Sequence, residues 1–317
     1  MNGRRIFAGA GGVAAALVFA ALAAAGGYGP WSAPVSAELP DGSRALNTAV
    51  LEGCPSVAPD NRQLFFASNR PGGVGGIDLY VAERKQAGDP WGDPVNLGPP
   101  VNTTADEFCP TPLRDGLGLL FVSTRSGGCG GSDIYVSRER PRHGWAEPVN
   151  PGCSLNSAGN EASPFLVSAG AHAVLYFSST RGGGFASDPL GTVSSDADIY
   201  SSAVSADGSF GAPALVPMLN TAATDARPNV RRDGREIFFD SNRAGGFGGL
   251  DLWSATREST AADWSAPQNL GPQVNGPAGE SRPSLSWDGT TLYFGSNRAR
   301  GEGDSDLYVT TRERSND

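Results

Sequence analysis

The chain has 317 residues, with 33 acidic against 24 basic side chains and a net charge of −9. A phosphate backbone requires a concentrated basic face; no basic cluster here exceeds Arg231-Arg232, so nucleic acid is excluded as a partner. An acidic, glycine-rich composition with Lys85 as its only lysine fits a protein soluble outside the cytoplasm, where its surface would meet cations or basic proteins.

Residues 1–25 form a separate object. Arg4 and Arg5 precede a weakly apolar Ala/Gly/Val run from Ile6, and Ala23-Ala24-Ala25 supplies a small-residue cleavage site, the pattern of a secretory signal peptide. Arg4-Arg5-Ile6-Phe7 also matches the opening of a twin-arginine export signal. An uncleaved anchor is the alternative, and the one route to a membrane, since the run approaches the ~20 residues that a bilayer requires. Its glycines and alanines make a poor permanent span. No cysteine follows the run to take a lipid. Removing the signal leaves 22 basic and 33 acidic residues, a net charge of −11.

From Trp31 one sequence unit recurs five times. Its copies begin at Trp31, Trp91, Trp145, Phe210 and Trp264, between 54 and 65 residues apart; the third is lengthened by a Ser-, Asp- and Gly-rich stretch, Gly184 to Ala197. Each copy has an outer W-x-x-P stretch and three alternating runs, which in the last copy are Ser284–Trp287, Thr291–Ser296 and Asp306–Thr310. Asp288-Gly289 joins the first two as a tight hairpin, matched by Asp60-Asn61, Asp115-Gly116, Ala169-Gly170 and Asp233-Gly234. Four-stranded units repeated about an axis make a β-propeller. A W-x-x-P stretch opens the repeats and none follows Asp306-Leu307-Tyr308-Val309, so the N-terminal strand is expected to complete the last blade and remove two open sheet edges. The expected fold is all-β: a five-bladed propeller of four-stranded blades, one domain over residues 26–317. Six blades with one degenerate unit is the other arrangement.

The run P-S-L-S-W-D-G-T-T-L-Y-F-G-S-N-R, followed by a glycine-rich loop and D-L-Y-V, resembles the WD40-like propeller repeat of TolB-type bacterial envelope proteins. The resemblance extends from Trp31 to Arg312. It implies a propeller that serves as an interaction platform in the periplasm or cell envelope. It does not imply a role in the Tol system, because residues 26–30 leave no room for TolB's N-terminal α/β domain. Nor do the five residues after Arg312 hold an OmpA-like peptidoglycan-binding domain.

Four cysteines in an exported chain permit two disulfides. Cys54 and Cys109 hold the same place in adjacent units, and Cys129 and Cys153 lie in loops leaving the second blade on one face. Cys129–Cys153 and Cys54–Cys109 are therefore the expected pairs, with buried or free thiols as the alternative.

Two rings of carboxylates accompany the repeat. Glu52, Glu107, Glu161, Asp225 and Glu280 each stand three residues before the proline of an inner strand, near one mouth of the channel. One reading is a ring that captures a cation or a basic peptide. The stronger reading comes from hairpin register, which brings Glu280 opposite Asn297 or Arg298 and Glu107 opposite Thr124 or Arg125. Each carboxylate then neutralises the arginine of its own blade: Arg70, Arg125, Arg181, Arg243 or Arg298. The second ring, Asp78, Asp133, Asp198, Asp251 and Asp306, follows the glycine-rich loops and suits the stapling of loop N–H groups. No helix follows these loops to present its N-terminus to phosphate. No metal or other cofactor is expected, calcium in the loops being the one candidate.

The repeated Trp/Phe suits packing between blades, and Trp253 and Trp287, which break the pattern, are ligand-stacking candidates. His143 and His172, the only histidines, fall in unlike places, which argues against a catalytic triad or a histidine metal site. Three functions compete. The first is a non-catalytic, monomeric platform for an envelope or extracellular protein or a glycan, favoured because equal blades offer no unique polar constellation. The second is a glycan-active hydrolase or lyase using acids at the channel mouth. Its asymmetry would lie at the third and fourth blades, with Asp188, Asp196 and Asp198 nearby and Glu161, Asp225 and Arg227 as polar members. The third is a structural surface component that self-associates. A sialidase Asp-box is excluded, since S-W-D-G at Ser286 lacks the residue between Asp and Gly.

Overall fold

The computed structural model describes residues 27–38, 45–140, 142–169, 172–185 and 196–315. The signal-peptide reading of residues 1–25, Gly170 of the third hairpin turn and Asp188 of the insertion lie outside them. The described residues form twenty strands in five four-stranded antiparallel sheets, with one 3₁₀ turn at Pro217–Leu219.

Strand β1 is Val35–Ser36. Blade 1 contains β2 (Glu52–Val57), β3 (Gln63–Ser68), β4 (Asp78–Glu83) and β5 (Val95–Asn96). Blade 2 contains β6 (Glu107–Pro112), β7 (Gly118–Ser123), β8 (Asp133–Arg140) and β9 (Gly144–Trp145). Blade 3 contains β10 (Glu161–Ala169), β11 (His172–Ser179), β12 (Asp198–Val204) and β13 (Ala214–Leu215). Blade 4 contains β14 (Asp225–Val230), β15 (Glu236–Ser241), β16 (Asp251–Thr256) and β17 (Gln268–Asn269). Blade 5 contains β18 (Glu280–Leu285), β19 (Thr291–Ser296) and β20 (Asp306–Thr311), and takes β1 as its outer strand. The five-bladed propeller and its N-terminal closure are thus as the repeat predicts, with Val35 opposite Val309 and Ser36 opposite Tyr308.

The inner strands β2, β6, β10, β14 and β18 each touch the inner strand on either side and so enclose the axis. Backbone bonds pass between blades at the same point five times. The N–H of Glu107 donates to the Ile77 carbonyl at 2.8 Å, Glu161 to Ser132 at 2.9 Å, Asp225 to Ala197 at 2.8 Å and Glu280 to Leu250 at 2.7 Å. Glu52 donates to Ser305 at 2.7 Å, which closes blade 5 onto blade 1.

The core lies between blades. Phe66, Phe121, Phe177, Phe239 and Phe294, one from each second strand, are fully buried. The tryptophan that opens each outer strand packs edge-on against the preceding blade: Trp91 on Tyr293, Trp145 on Phe65, Trp264 on Tyr176 and Trp31 on Phe238, with centroids 5.8–6.5 Å apart. Pairs of this kind add about 0.5–1.5 kcal/mol each beyond the area they bury.

Three local expectations change. The inner strand of blade 5 begins at Glu280 and not at Ser284, running through Pro283. The paired part of most outer strands lies just past W-x-x-P, as at Val95–Asn96, because a proline has no N–H for the ladder. The hairpin register is also one residue off: Glu280 faces Ser296 and Glu107 faces Ser123. The cause is a β-bulge in every inner strand, centred on a left-handed residue before the proline: Cys54, Cys109, Ser163, Arg227 and Arg282, with φ between 47° and 59°.

Arg312, just past β20, clasps the closure. Its two terminal nitrogens donate to the Glu236 carboxylate of blade 4 at 2.8 and 2.7 Å, and its guanidinium lies 4.0 and 4.5 Å from the ring centroids of Tyr28 and Trp31. Arg312→Leu leaves Glu236 with Arg231 as its remaining charged partner. The expected loss of stability is about 3 kcal/mol, the lower end for breaking a buried pair, measured by equilibrium urea unfolding. An unchanged midpoint would mean that the β1–β20 ladder closes the ring unaided.

Candidate functional site

The ring of five carboxylates is built into the blades. Glu52 accepts hydrogen bonds from the Thr48 N–H and hydroxyl and from the Ser68 hydroxyl, each at 2.8 Å, and from Arg70 at 3.2 Å. Glu107 repeats this with Thr103, Ser123 and Arg125, Glu161 with Ser157, Ser179 and Arg181, and Asp225 with Thr221, Ser241 and Arg243. Glu280 bonds the Gly276 N–H, Ser296 and Arg298. All five carboxylates are fully buried. An ionised carboxyl has about four lone-pair sites, and here the fold takes nearly all of them. The ring is therefore in no position to seize a cation or a basic peptide, and Glu161 and Asp225 are not free for chemistry.

Each partnered arginine does further work. Arg70 donates to the Leu46 carbonyl at 2.7 Å and lies about 5 Å from the centroids of Phe66 and Tyr80. Trp253 takes the tyrosine place in blade 4, where Arg243 covers it, and is buried there rather than offered to a ligand.

The second ring lies beneath the loops. Asp78 accepts from the N–H of Val74, from the Gly75 N–H at 3.1 Å and from the Asn96 amide at 3.0 Å. Asp133, Asp251 and Asp306 accept the loop N–H groups of Cys129, Phe247 and Glu302. Asp198 is buried in the corresponding place, and Asp196 accepts from Thr224 at 3.0 Å. A Cβ on Gly73 would collide with the Asp78 carboxylate, and one on Gly75 with the carbonyls of Thr103 and Ala105. The glycines thus permit close packing. Among the described residues no three His, Cys, Asp or Glu side chains converge to hold a metal.

Sequence reading missed an asparagine ring, Asn47, Asn102, Asn156, Asn220 and Asn275, five residues before each carboxylate. Asn102 accepts the Leu79 N–H and donates to the Leu79 carbonyl, both at 2.9 Å, and the other four tie the connection to the third strand in the same way.

Both disulfides are present, Cys129–Cys153 and Cys54–Cys109. The second lies on the axis, because Cys54 and Cys109 are two of the five bulge residues. The other three, Ser163, Arg227 and Arg282, share with it a cavity lined by all five inner strands, about 300 Å³ including its opening. Here the repeat breaks. Asp240 stands in β15 where the other blades have Ala67, Val122, Ser178 and Gly295. It is fully buried, accepts from Arg227 Nη1 at 2.7 Å and takes the backbone N–H of Arg282 at 2.7 Å. Burial pushes its carboxyl above the usual range, opposed by the charges of Arg227 and Arg282. Burial, and next the charge of Arg227, lowers Arg282 to about 10, so it stays cationic at neutral pH. Of the predicted site residues, Arg227 alone belongs to this group. Asp240 and Arg282 were missed, although an aspartate within an apolar strand run was the available signal.

A second cavity, about 380 Å³ including its opening, lies at the hairpin end of the inner strands, lined by Arg114, Arg232, Ser168 and Trp287 among others. Phe165 lines both cavities, which places them in succession along the axis. Trp287 is half-buried there, free to offer a face.

No family model and no curated protein sequence matches the chain. Among solved structures, it is similar to the catalytic domain of a GH62 α-L-arabinofuranosidase from Coprinopsis cinerea, with 15% identity, TM-score 0.57, and 90% of this chain and 97% of the other covered. It is similar to an endo-arabinase from Bacteroides thetaiotaomicron at 15% identity and TM-score 0.56, covering 84% and 97%. A TolB-type protein of Agrobacterium tumefaciens superposes at TM-score 0.46 and 17% identity over 81% and 80%, too loosely to argue from. These identities establish the fold, a β-propeller. They also overturn the expectation of a non-catalytic platform, since structures that share this fold nearly end to end are glycoside hydrolases. That expectation assumed a ring without a unique polar constellation, and the axis holds one.

Two predictions follow from the carboxylates. Glu107→Gln removes the carboxylate, itself fully buried, that pairs with the partly buried Arg125, with an expected cost of about 3 kcal/mol in urea unfolding. Asp115→Asn, which breaks an ion pair half exposed on both sides, should cost under about 1 kcal/mol. Equal losses would contradict the assigned roles. Glu38 and Glu302 join the two loops of blade 5 that in blade 2 are joined by Cys129–Cys153. Burial, and a hydrogen bond with Glu302, raise Glu38 to about 7 against the pull of the Asn47 N–H. A raised carboxyl gives stability that is present below about pH 4.5 and lost as pH rises toward 7. Melting temperature should fall across that window in the wild type, with a smaller fall in Glu302→Gln; parallel curves would count against the pair.

Proposed function

We propose that this protein is a glycan-active hydrolase whose substrate enters the axis at the hairpin end of the ring. The observation that carries the reading is the break in five-fold repetition on the axis. Ser163, Arg227 and Arg282 line the axial cavity, Asp240 is buried against the two arginines, and Trp287 stands at the neighbouring mouth. An indole face suits a sugar ring, and unlike residues gathered at one point are what catalysis requires of a repeated scaffold. The similarity in fold to an arabinofuranosidase and an endo-arabinase supports it.

Within this reading Asp240 is a positioning residue: fully buried behind the cavity wall, it accepts from Arg227 Nη1 and from the Arg282 N–H. The two arginines hold it in place. Export, the TolB-type repeat relationship and action in the periplasm or outside the cell belong to the same proposal and rest on residues 1–25 and on the repeat.

The test is release of reducing ends from arabinan, arabinoxylan and uronic-acid polysaccharides by the intact protein. Activity on at least one substrate is expected, reduced at least 100-fold in Asp240→Asn and raised in KM by Trp287→Ala. If no polysaccharide is shortened, or if Asp240→Asn keeps full activity, the hydrolase reading or its site falls.

A further inference from the structure

The axis is basic in a protein that is otherwise acidic. Arg227 and Arg282 project from adjacent inner strands into one cavity, and Arg114 and Arg232 line the cavity that follows it. Among the described residues Asp240 is the one carboxylate bonded to the inner pair, so whichever protonation state it holds, the inner cavity carries net positive charge. Two polar atoms of residues that line this space make no hydrogen bond within the protein: Arg282 Nε and the Ser163 hydroxyl, both buried. A buried guanidinium N–H and a buried hydroxyl are costly to leave without acceptors, and beside a cavity they point to a ligand that accepts from both. The lining is otherwise the Cys54–Cys109 disulfide, prolines, Phe165 and short side chains, and it offers no competing carboxylate.

Size narrows the ligand. Some 30 Å³ is open to the centre of a water-sized sphere, about two waters by the usual requirement of ~10–15 Å³ each. That space fits the two oxygens of a carboxylate and is too small for a sugar ring, which would have to stay outside the cavity.

We propose that the axial cavity is a carboxylate-binding site, with Arg282 and Ser163 donating to the two oxygens and Arg227 supplying charge. A carboxylate carried on a sugar would enter it with the ring left outside, which makes the substrate an acidic glycan. That second step rests on the glycan reading, whereas the anion site does not.

The experiment titrates the intact protein at constant ionic strength with formate, D-glucuronate and glucose, following ligand line-broadening by NMR. Formate and glucuronate should bind in the millimolar range and glucose at least tenfold more weakly than glucuronate. Arg282→Gln should weaken both acids at least tenfold. Ser163→Ala should weaken them about threefold, and since that hydroxyl makes no bond in the fold its loss leaves the folded protein intact. Formate binding that is unchanged in both variants, or undetectable in the wild type, overturns the site. Formate bound with no preference for glucuronate over glucose overturns the acidic-glycan step and leaves the anion site standing, whatever the polysaccharide assay shows.

Discussion

The propeller depends on one buried cluster repeated five times: a carboxylate at the start of the inner strand, a serine at the end of the second, an arginine two residues later, and a carbonyl and N–H of the incoming connection, with a hydroxyl beside them in four of the five. Burying an ion pair gains little over burying apolar groups of equal volume. What this cluster supplies is position. The carboxylate accepts from the second strand, from the arginine just past it and from the incoming loop, the arginine returns a bond to the loop carbonyl, and the backbone N–H of the same carboxylate residue crosses to the neighbouring blade. Inner strand, second strand, connection and adjacent blade are fixed at one point. Loss of either charge leaves the other stranded in low dielectric, which makes the cluster costly to break although it contributes little net stability when whole.

Most of the fold was legible because its signals are local and repeated. The hairpin turn, the alternating runs, the arginine after the second strand and the displaced W-x-x-P stretch each recur, so five copies correct one another's ambiguity. Register was not legible to the residue. The bulge depends on a left-handed φ at positions as unlike as Cys54, Ser163 and Arg282, and no shared residue type announces it. Its signal is indirect: a proline one residue later in all five copies, Pro55, Pro110, Pro164, Pro228 and Pro283, which removes an N–H just where the ladder is already interrupted.

The site was hidden for the opposite reason. A repeat directs attention to what recurs, and the carboxylate rings that recur are the residues most fully consumed by structure. Function, where a scaffold is periodic, is found among the exceptions. Asp240 is one such exception, and the bulge positions are another: they share a conformation and a place on the axis but vary freely in chemistry, from a disulfide to a hydroxyl to two guanidinium groups. The bulge turns these five side chains toward a common space while the flanking residues hold the strands. The fold therefore separates a constant frame from a variable centre within a single strand.

That separation also explains how the centre tolerates its charge. Two arginines from adjacent strands facing one aspartate would strain a marginal core, yet the surrounding frame is locked by five ion-pair clusters and by a disulfide in the wall of the same cavity. Cys54–Cys109 joins the inner strands of blades 1 and 2, and blade 1 adjoins blade 5, where the Arg282 side chain lies against Gly53, so the wall beside the charged pair is covalently fixed. Repulsion between the guanidinium groups cannot then be relieved by spreading the ring. It is relieved by Asp240 and, in the reading developed above, by an anion in the cavity, which makes the rigidity of the ring the reason that its charged centre stays open to a ligand.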